Sequence, residues 1–224
     1  MKFLVLSDIH GNLEALDKLD KEFSNADAVL FGGDFAKFGE PETGLPVLEK
    51  LCTKHDTIFS VIGNCDEPEF LPEVEARDCS IEKALIFNEG LAFAGSGGGT
   101  KFTGTTPFER TEEEIMSDFA LVAESKETIW NNLILISHNP PKDTKCDMVS
   151  GGVHVGSQLL TDFIKKVKPL VVITGHIHES AGIDTVGETT VINPGALLEG
   201  KYAHLEVEKT EDKWRVVKAE LCSL

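Results

Sequence analysis

Positive charge is scarce in this sequence. Lys and Arg number 21 against 38 Asp and Glu, a net charge of -17 over 224 residues. No Lys/Arg cluster offsets the repulsion between so acidic a surface and a phosphate backbone, so broad nucleic-acid binding is disfavoured. Cys-x-x-Cys pairs are missing as well. The cysteines (Cys52, Cys65, Cys79, Cys146 and Cys222) are odd in number and widely spaced. That argues against a zinc knuckle and for free thiols in a reducing compartment. No apolar stretch approaches the ~20 residues that span a bilayer. The N-terminal apolar run stops at Ser7 and Asp8, which does not suit a signal peptide. These absences predict a cytoplasmic chain with no membrane partner. No linker-like segment and no internal repeat occur, so residues 1–224 read as one domain, long enough to bury a sizeable core.

What is present is a set of short apolar runs, each followed by Gly and polar residues. Phe3-Leu4-Val5-Leu6 reads as a strand buried on both faces, and Ser7, Asp8, His10, Gly11 and Asn12 follow it. Leu13, Leu16, Leu19 and Phe23 recur at helical spacing and predict one amphipathic helix. Ala28–Phe31 is a second strand ending at Gly32-Gly33-Asp34. A second helix runs to about Lys54, starting near Gly44 because Pro46 fits only its first turn. Thr57–Ile62 is a third strand, ending at Gly63-Asn64-Cys65-Asp66. This β-α-β-α-β opening implies a parallel sheet with right-handed crossovers. A hairpin is expected over Ala84–Phe87 and Leu91–Ala94, then a Gly/Thr-rich loop over Gly95–Thr106. That loop is not a P-loop, since Thr100 precedes Lys101, and it reads as a flexible surface loop. Thr111 and Glu114 resemble a capping box opening a helix to about Lys126. Leu133–Ile136 and Leu170–Ile173 are further strands, ending at Ser137-His138 and Gly175-His176-Ile177-His178. Two hairpins close the chain, the second turning at Glu211-Asp212. An α/β start and an antiparallel finish suit two packed sheets.

Five strand ends thus carry metal-ligand types: Asp8 and His10, Asp34, Asn64, His138, then His176 and His178. Strand ends at one sheet edge are where open α/β sheets place ligands. Carboxylate, imidazole and amide oxygen suit Mn, Fe, Zn, Ni or Mg better than a thiolate metal. Seven ligands exceed one tetrahedral ion and match two divalent ions sharing a bridging carboxylate. The ordered blocks Asp-x-His, Gly-Asp, Gly-Asn-x-Asp, His and Gly-His-x-His resemble the calcineurin-like metallophosphoesterase superfamily, with similarity to a small prokaryotic branch. The resemblance implies a two-sheet mixed β sandwich flanked by helices on both sides, a four-layer α/β/β/α fold. It implies that Asp8, His10 and His178 hold one ion, that Asn64, His138 and His176 hold the other, and that Asp34 bridges them.

Two cations and a bridging water imply hydrolysis of a small phosphodiester or phosphomonoester. A nuclease of the same chemistry and a non-catalytic metal-binding scaffold are the alternatives. One position departs from the family pattern: many members read Gly-Asn-His-Asp or Gly-Asn-His-Glu, and that His is thought to protonate the leaving group. Here the residue is Cys65. Cys65, His154 or water is then left to supply the proton, and Asp66 to orient a metal ligand. The sequence leaves the oligomeric state open.

Overall fold

A computed structural model describes residues 1–102, 104–125, 130–211 and 213–224. In chain order the elements are β1 (Lys2–Leu6), α1 (Leu13–Asp17), α2 (Asp20–Asn25), β2 (Ala28–Phe31), α3 (Gly44–Lys54), β3 (Ile58–Ser60) and α4 (Leu71–Glu75). Then come β4 (Ile86–Asn88), β5 (Leu91–Ser96), β6 (Gly99–Thr100), β7 (Glu109–Arg110), α5 (Glu112–Ser117), α6 (Ala120–Ala123) and β8 (Leu133–Ser137). The chain ends with β9 (Met148–Val149), β10 (Val153–His154), α7 (Gln158–Val167), β11 (Val171–Ile173), β12 (Gly182–Val186), β13 (Thr189–Asn193), β14 (Lys201–Lys209) and β15 (Trp214–Ser223).

Two sheets carry the fold. The first has the order β15-β14-β1-β2-β3 and the second β12-β13-β11-β8-β5-β4. Strands β1, β2 and β3 are parallel, as the opening alternation predicts, and β5, β8, β11 and β13 are parallel in the second sheet. The period-2 alternation of side chains gives each strand two buried faces. Phe3, Val5, Leu30 and Phe59 of the first sheet meet Phe93, Ile134, Ile136 and Ile173 of the second. Phe59 and Phe93 stack there with ring centroids 3.9 Å apart. The intervening residues Leu4, Leu6, Val29 and Phe31 face outward onto Leu16, Phe23, Leu48 and Leu51 of α1–α3. Ala92, Leu133, Leu135 and Val172 face Phe119, Leu160 and Ile164 on the other side. The layers are therefore α/β/β/α.

Three boundaries differ from the periodicity. The helix expected over Leu13–Phe23 is two, because the Lys18 and Leu19 N–H groups bond back three residues, to Ala15 and Leu16, tightening the turn. The helix capped by Thr111 and Glu114 does carry the reciprocal capping box. It breaks at Asp118, whose carboxylate is drawn inward to Arg110 and Ser96. Its expected end at Lys126 lies outside the described residues, as does Asp212 of the last turn. Strand β3 stops at Ser60 rather than Ile62, because the Ile62 N–H leaves the ladder for the Glu82 carboxylate at 2.7 Å. Among the described residues no helix is long and apolar enough to cross a membrane.

Candidate metal centre

The carboxyl ends of β1, β2, β3, β8 and β11 point to one edge, and the loops leaving them bring the expected ligands together. Four of these residues have left-handed backbone: Asp8 (φ 54), His10 (φ 47), Asp34 (φ 62) and His176 (φ 67). Non-glycine residues avoid that region, and such strain concentrates where a side chain must be aimed. Backbone bonds hold it in place. The N–H groups of Ile9 and His10 both donate to the Asp34 carbonyl, at 3.0 and 3.1 Å, and Asp8 N–H donates to Gly33 at 2.9 Å. Gly63 is required beside Asp34, since a Cβ there would lie 1.9 Å from Asp34 Oδ1.

Asp34 sits between two groups of imidazoles. Its Oδ2 lies 3.5 Å from His10 Nε2 and 3.5 Å from His138 Nε2, while Oδ1 accepts the Cys65 N–H at 2.8 Å. On one side His10 Nε2 lies 3.2 Å from His178 Nε2, which is 3.2 Å from Asp8 Oδ1. On the other, His138 Nε2 lies 2.8 Å from Asn64 Oδ1, and the His138 and His176 rings are 5.3 Å apart. Asp8, His10, Asp34, Asn64 and His138 are all buried.

The donor set fits cations. His10 Nδ1 lies 3.0 Å from the Ala36 carbonyl and His138 Nδ1 lies 2.7 Å from the Gly32 carbonyl. A carbonyl only accepts, so each Nδ1 carries the ring proton and each Nε2 is left with a bare lone pair. Those lone pairs face the Asp34 carboxylate, the His178 ring nitrogen and the Asn64 amide oxygen in a buried space. That arrangement is repulsive for the protein alone and suited to divalent ions. Burial would raise the Asp8 carboxyl, but the His178 hydrogen bond, with the neighbouring imidazoles, holds it below the usual carboxylate range. Burial, then the neighbouring His138, lowers His176 to about 4, so its ring is neutral at pH 7. The Asp8 hydrogen bond raises His178.

All seven expected ligands, Asp8, His10, Asp34, Asn64, His138, His176 and His178, are brought to this edge. Of the side chains expected to aid the chemistry, Cys65 lines the open cavity above them with Asn64, His176 and His178. Burial and the Asp34 carboxylate push its thiol up. Asp66 acts through the backbone: its buried carboxylate accepts the N–H groups of Phe35, Ala36 and Gly63, so it shapes the loops that carry Asp34 and Asn64 from beneath and bonds no ligand side chain among the described residues. Burial and Asp34 raise it to about 6. His154 is placed apart from the cluster: its Nδ1 is tied to Asp147 Oδ1 at 2.7 Å, and it lines neither cavity that borders the ligands.

Sequence reading missed two features. The Gly/Thr-rich stretch is no loose surface loop: Gly97, Gly98 and Gly99 are buried, and the Glu109 carboxylate gathers the N–H groups of Phe102, Gly104, Thr105 and Thr106. Those bonds hold Glu109 down at about 2 against its desolvation. Pro107-Phe108-Glu109 carried the only hint, as the closing block of that loop. Glu82 is buried beneath the Asn64 loop, and its Oε2 has no hydrogen-bond partner among the described residues. Nothing in Ser80-Ile81-Glu82 announces it.

Comparison with known proteins agrees with the fold and places the chain in a family. The family model for calcineurin-like phosphoesterases matches residues 1–180. An uncharacterized protein of Methanocaldococcus jannaschii is 35% identical over 202 residues, covering 87% of this chain and 88% of that one. Among solved structures, a Thermus thermophilus protein superposes with TM-score 0.75 at 22% identity, covering 99% of this chain and 98% of that one. A Danio rerio dimetal phosphatase superposes with TM-score 0.59 at 13% identity, covering 100% and 98%.

Proposed function

The chain belongs to the calcineurin-like phosphoesterase family, the metal-dependent phosphoric ester hydrolases, and from that premise we propose that it hydrolyses small phosphate esters using two divalent ions. Asp8, His10 and His178 would hold one ion, Asn64, His138 and His176 the other, and Asp34 both. The observation that carries this reading is the position of Asp34 Oδ2, 3.5 Å from a bare Nε2 on either side. Ions bound there would acidify water and neutralise the ester oxygens, which is the chemistry that phosphate-ester hydrolysis requires.

The chain's own groups do the rest. The Ala36 and Gly32 carbonyls fix the tautomers of His10 and His138, so both rings present Nε2 without rearranging. Asp66 holds the Phe35–Ala36 turn and Gly63 at fixed spacing, which sets Asp34 against Asn64. Asn64 offers a neutral amide and adds no repulsion toward an anionic substrate. Of the two side chains expected to protonate the leaving oxygen, only Cys65 lines a cavity at the cluster.

Elemental analysis of purified protein with turnover of bis(p-nitrophenyl) phosphate in added Mn²⁺ tests the reading. The expected result is about two ions per chain and metal-dependent turnover. Asp34→Asn is expected to lose metal and to lower kcat/KM by about a thousandfold or more. Metal bound without turnover of any ester would favour the non-catalytic scaffold instead.

A further inference from the structure

The cluster opens onto two cavities. One, of about 340 Å³, lies over His10, Asp34 and His178 and is walled by Phe38 and Leu198. The second, of about 510 Å³, is walled by Phe102, Val149, Val155 and Ile177. Asn64 and His176 line both, so the cavities meet at the ligands themselves. Each carries a Lys-Phe pair on its wall, Lys37-Phe38 and Lys101-Phe102. The two phenylalanines are 53% and 87% exposed, while the rings of the inter-sheet core are buried. The wall of the larger cavity is built, since Glu109 fixes the backbone of Phe102 and of residues 104–106.

We propose that the site is shaped for a phosphodiester with two apolar or aromatic arms, one seated in each cavity and the phosphate at Asn64 and His176. This rests on the phosphoesterase reading and narrows it. A monoester has one organic arm and would leave one apolar cavity filled with water, forgoing the burial that cavity offers. The charges agree. Lys37 is paired with Glu40 at 2.5 Å, and in the larger cavity Lys101 is matched by the Glu109 carboxylate, so neither wall adds net positive charge. A diester carries a single negative charge, which asks for less compensation than a monoester dianion.

Phosphinates test this without turnover, because both organic arms are held by P–C bonds and the head group is the same monoanion throughout. Calorimetric titration of the Mn²⁺-loaded protein should give Kd falling from dimethylphosphinate to methylphenylphosphinate to diphenylphosphinate, by about tenfold per ring. Phe102→Ala and Phe38→Ala, both at exposed positions, should each remove about one of these steps while the protein melts as before. Equal affinity for the methylphenyl and diphenyl compounds overturns the proposal. So does unchanged diphenylphosphinate affinity in both variants. If the stepwise series holds while no ester is turned over, the two-armed site stands and the hydrolytic reading falls.

Discussion

The inter-sheet core and the ligand edge are built from the same strands, yet they follow opposite rules. In the core, Phe59 stacks on Phe93 among Val5, Ile134 and Ile173, and every side chain is apolar and fully enclosed. A few residues along the same strands, Asp8, His10 and Asp34 are equally enclosed but polar, with φ between 47° and 62°. The core is what a packed sandwich reaches by itself. The edge is not: bare ring nitrogens face carboxylates, and the backbone is held in a region that L-residues avoid. The core stabilises the fold and the edge draws on that stability, so substitutions in the two regions should affect opposite properties.

The widest separation is expected from Asp34→Asn. Besides its loss of kcat/KM, the metal-free variant should melt no lower than the metal-free parent. Asn keeps the oxygen that accepts from Cys65 N–H and replaces a buried charge with an N–H that can donate to an imidazole. A fall in the metal-free melting temperature would show that the carboxylate is part of the scaffold. Phe93→Ala should do the reverse. Loss of the stack opens a cavity worth about 3–4 kcal/mol, read by urea unfolding. Metal stoichiometry per folded molecule should stay unchanged. If metal is lost with stability, core and edge are one cooperative unit and the contrast fails.

The contrast also explains what could be read beforehand. Asp8, His10, Asp34, Asn64, His138, His176 and His178 were legible because each closes an apolar run, and parallel strands carry their ends to one edge. The layering was legible from the same runs. What was not legible depends on contacts made across the chain. Asp66 lies in the Gly-Asn-x-Asp block, but that it works through the N–H groups of Phe35 and Ala36, about 30 residues earlier, is set by the fold. His154 is turned away by Asp147 through the β9–β10 pairing. Glu109 orders a loop whose composition suggests mobility. The breaks at Lys18–Leu19 and Asp118 are tightened turns within otherwise helical periodicity, which spacing alone does not register.

Glu82 lies between the two regions and sharpens the comparison through pH. Desolvation, aided by the Asp118 charge, raises its carboxyl to about 7 against the lowering by the Ile62 N–H, Arg110 and Lys83. The folded state therefore holds a proton that the unfolded chain has released above pH 4.5. Stability attributable to this group is complete below pH 4.5 and declines as pH rises through 7. Glu82→Gln keeps an oxygen to accept the Ile62 N–H and cannot ionise. The variant should match the parent near pH 4.5 and exceed it by about 2–3 kcal/mol at pH 8, measured by urea unfolding at both values. A pH-independent difference would mean that the Glu82 carboxylate is stabilised in the fold as well as it is in water.

The smallest expected effect falls on Gly99, and it separates close packing at the edge from close packing in the core. A Cβ at this position would meet Asn64 Cβ at 3.2 Å and His176 Cε1 at 3.3 Å. Gly99 N–H is fixed to the Phe108 carbonyl at 3.1 Å. The added methyl must therefore be accommodated by shifts of a few tenths of an ångström in two expected ligands. Overpacking a core costs stability, whereas here the fold has open cavities on either side to absorb the shift. Gly99→Ala should change unfolding free energy by less than about 1 kcal/mol, the loss of backbone freedom in the unfolded chain offsetting part of the strain. Catalysis has no such slack, because small misplacements of reacting groups are costly. Turnover of a diester should fall by about three- to tenfold, chiefly in kcat. Undiminished kcat in a folded variant would show that the edge tolerates the same adjustments as the core and that its strained geometry does not set the rate.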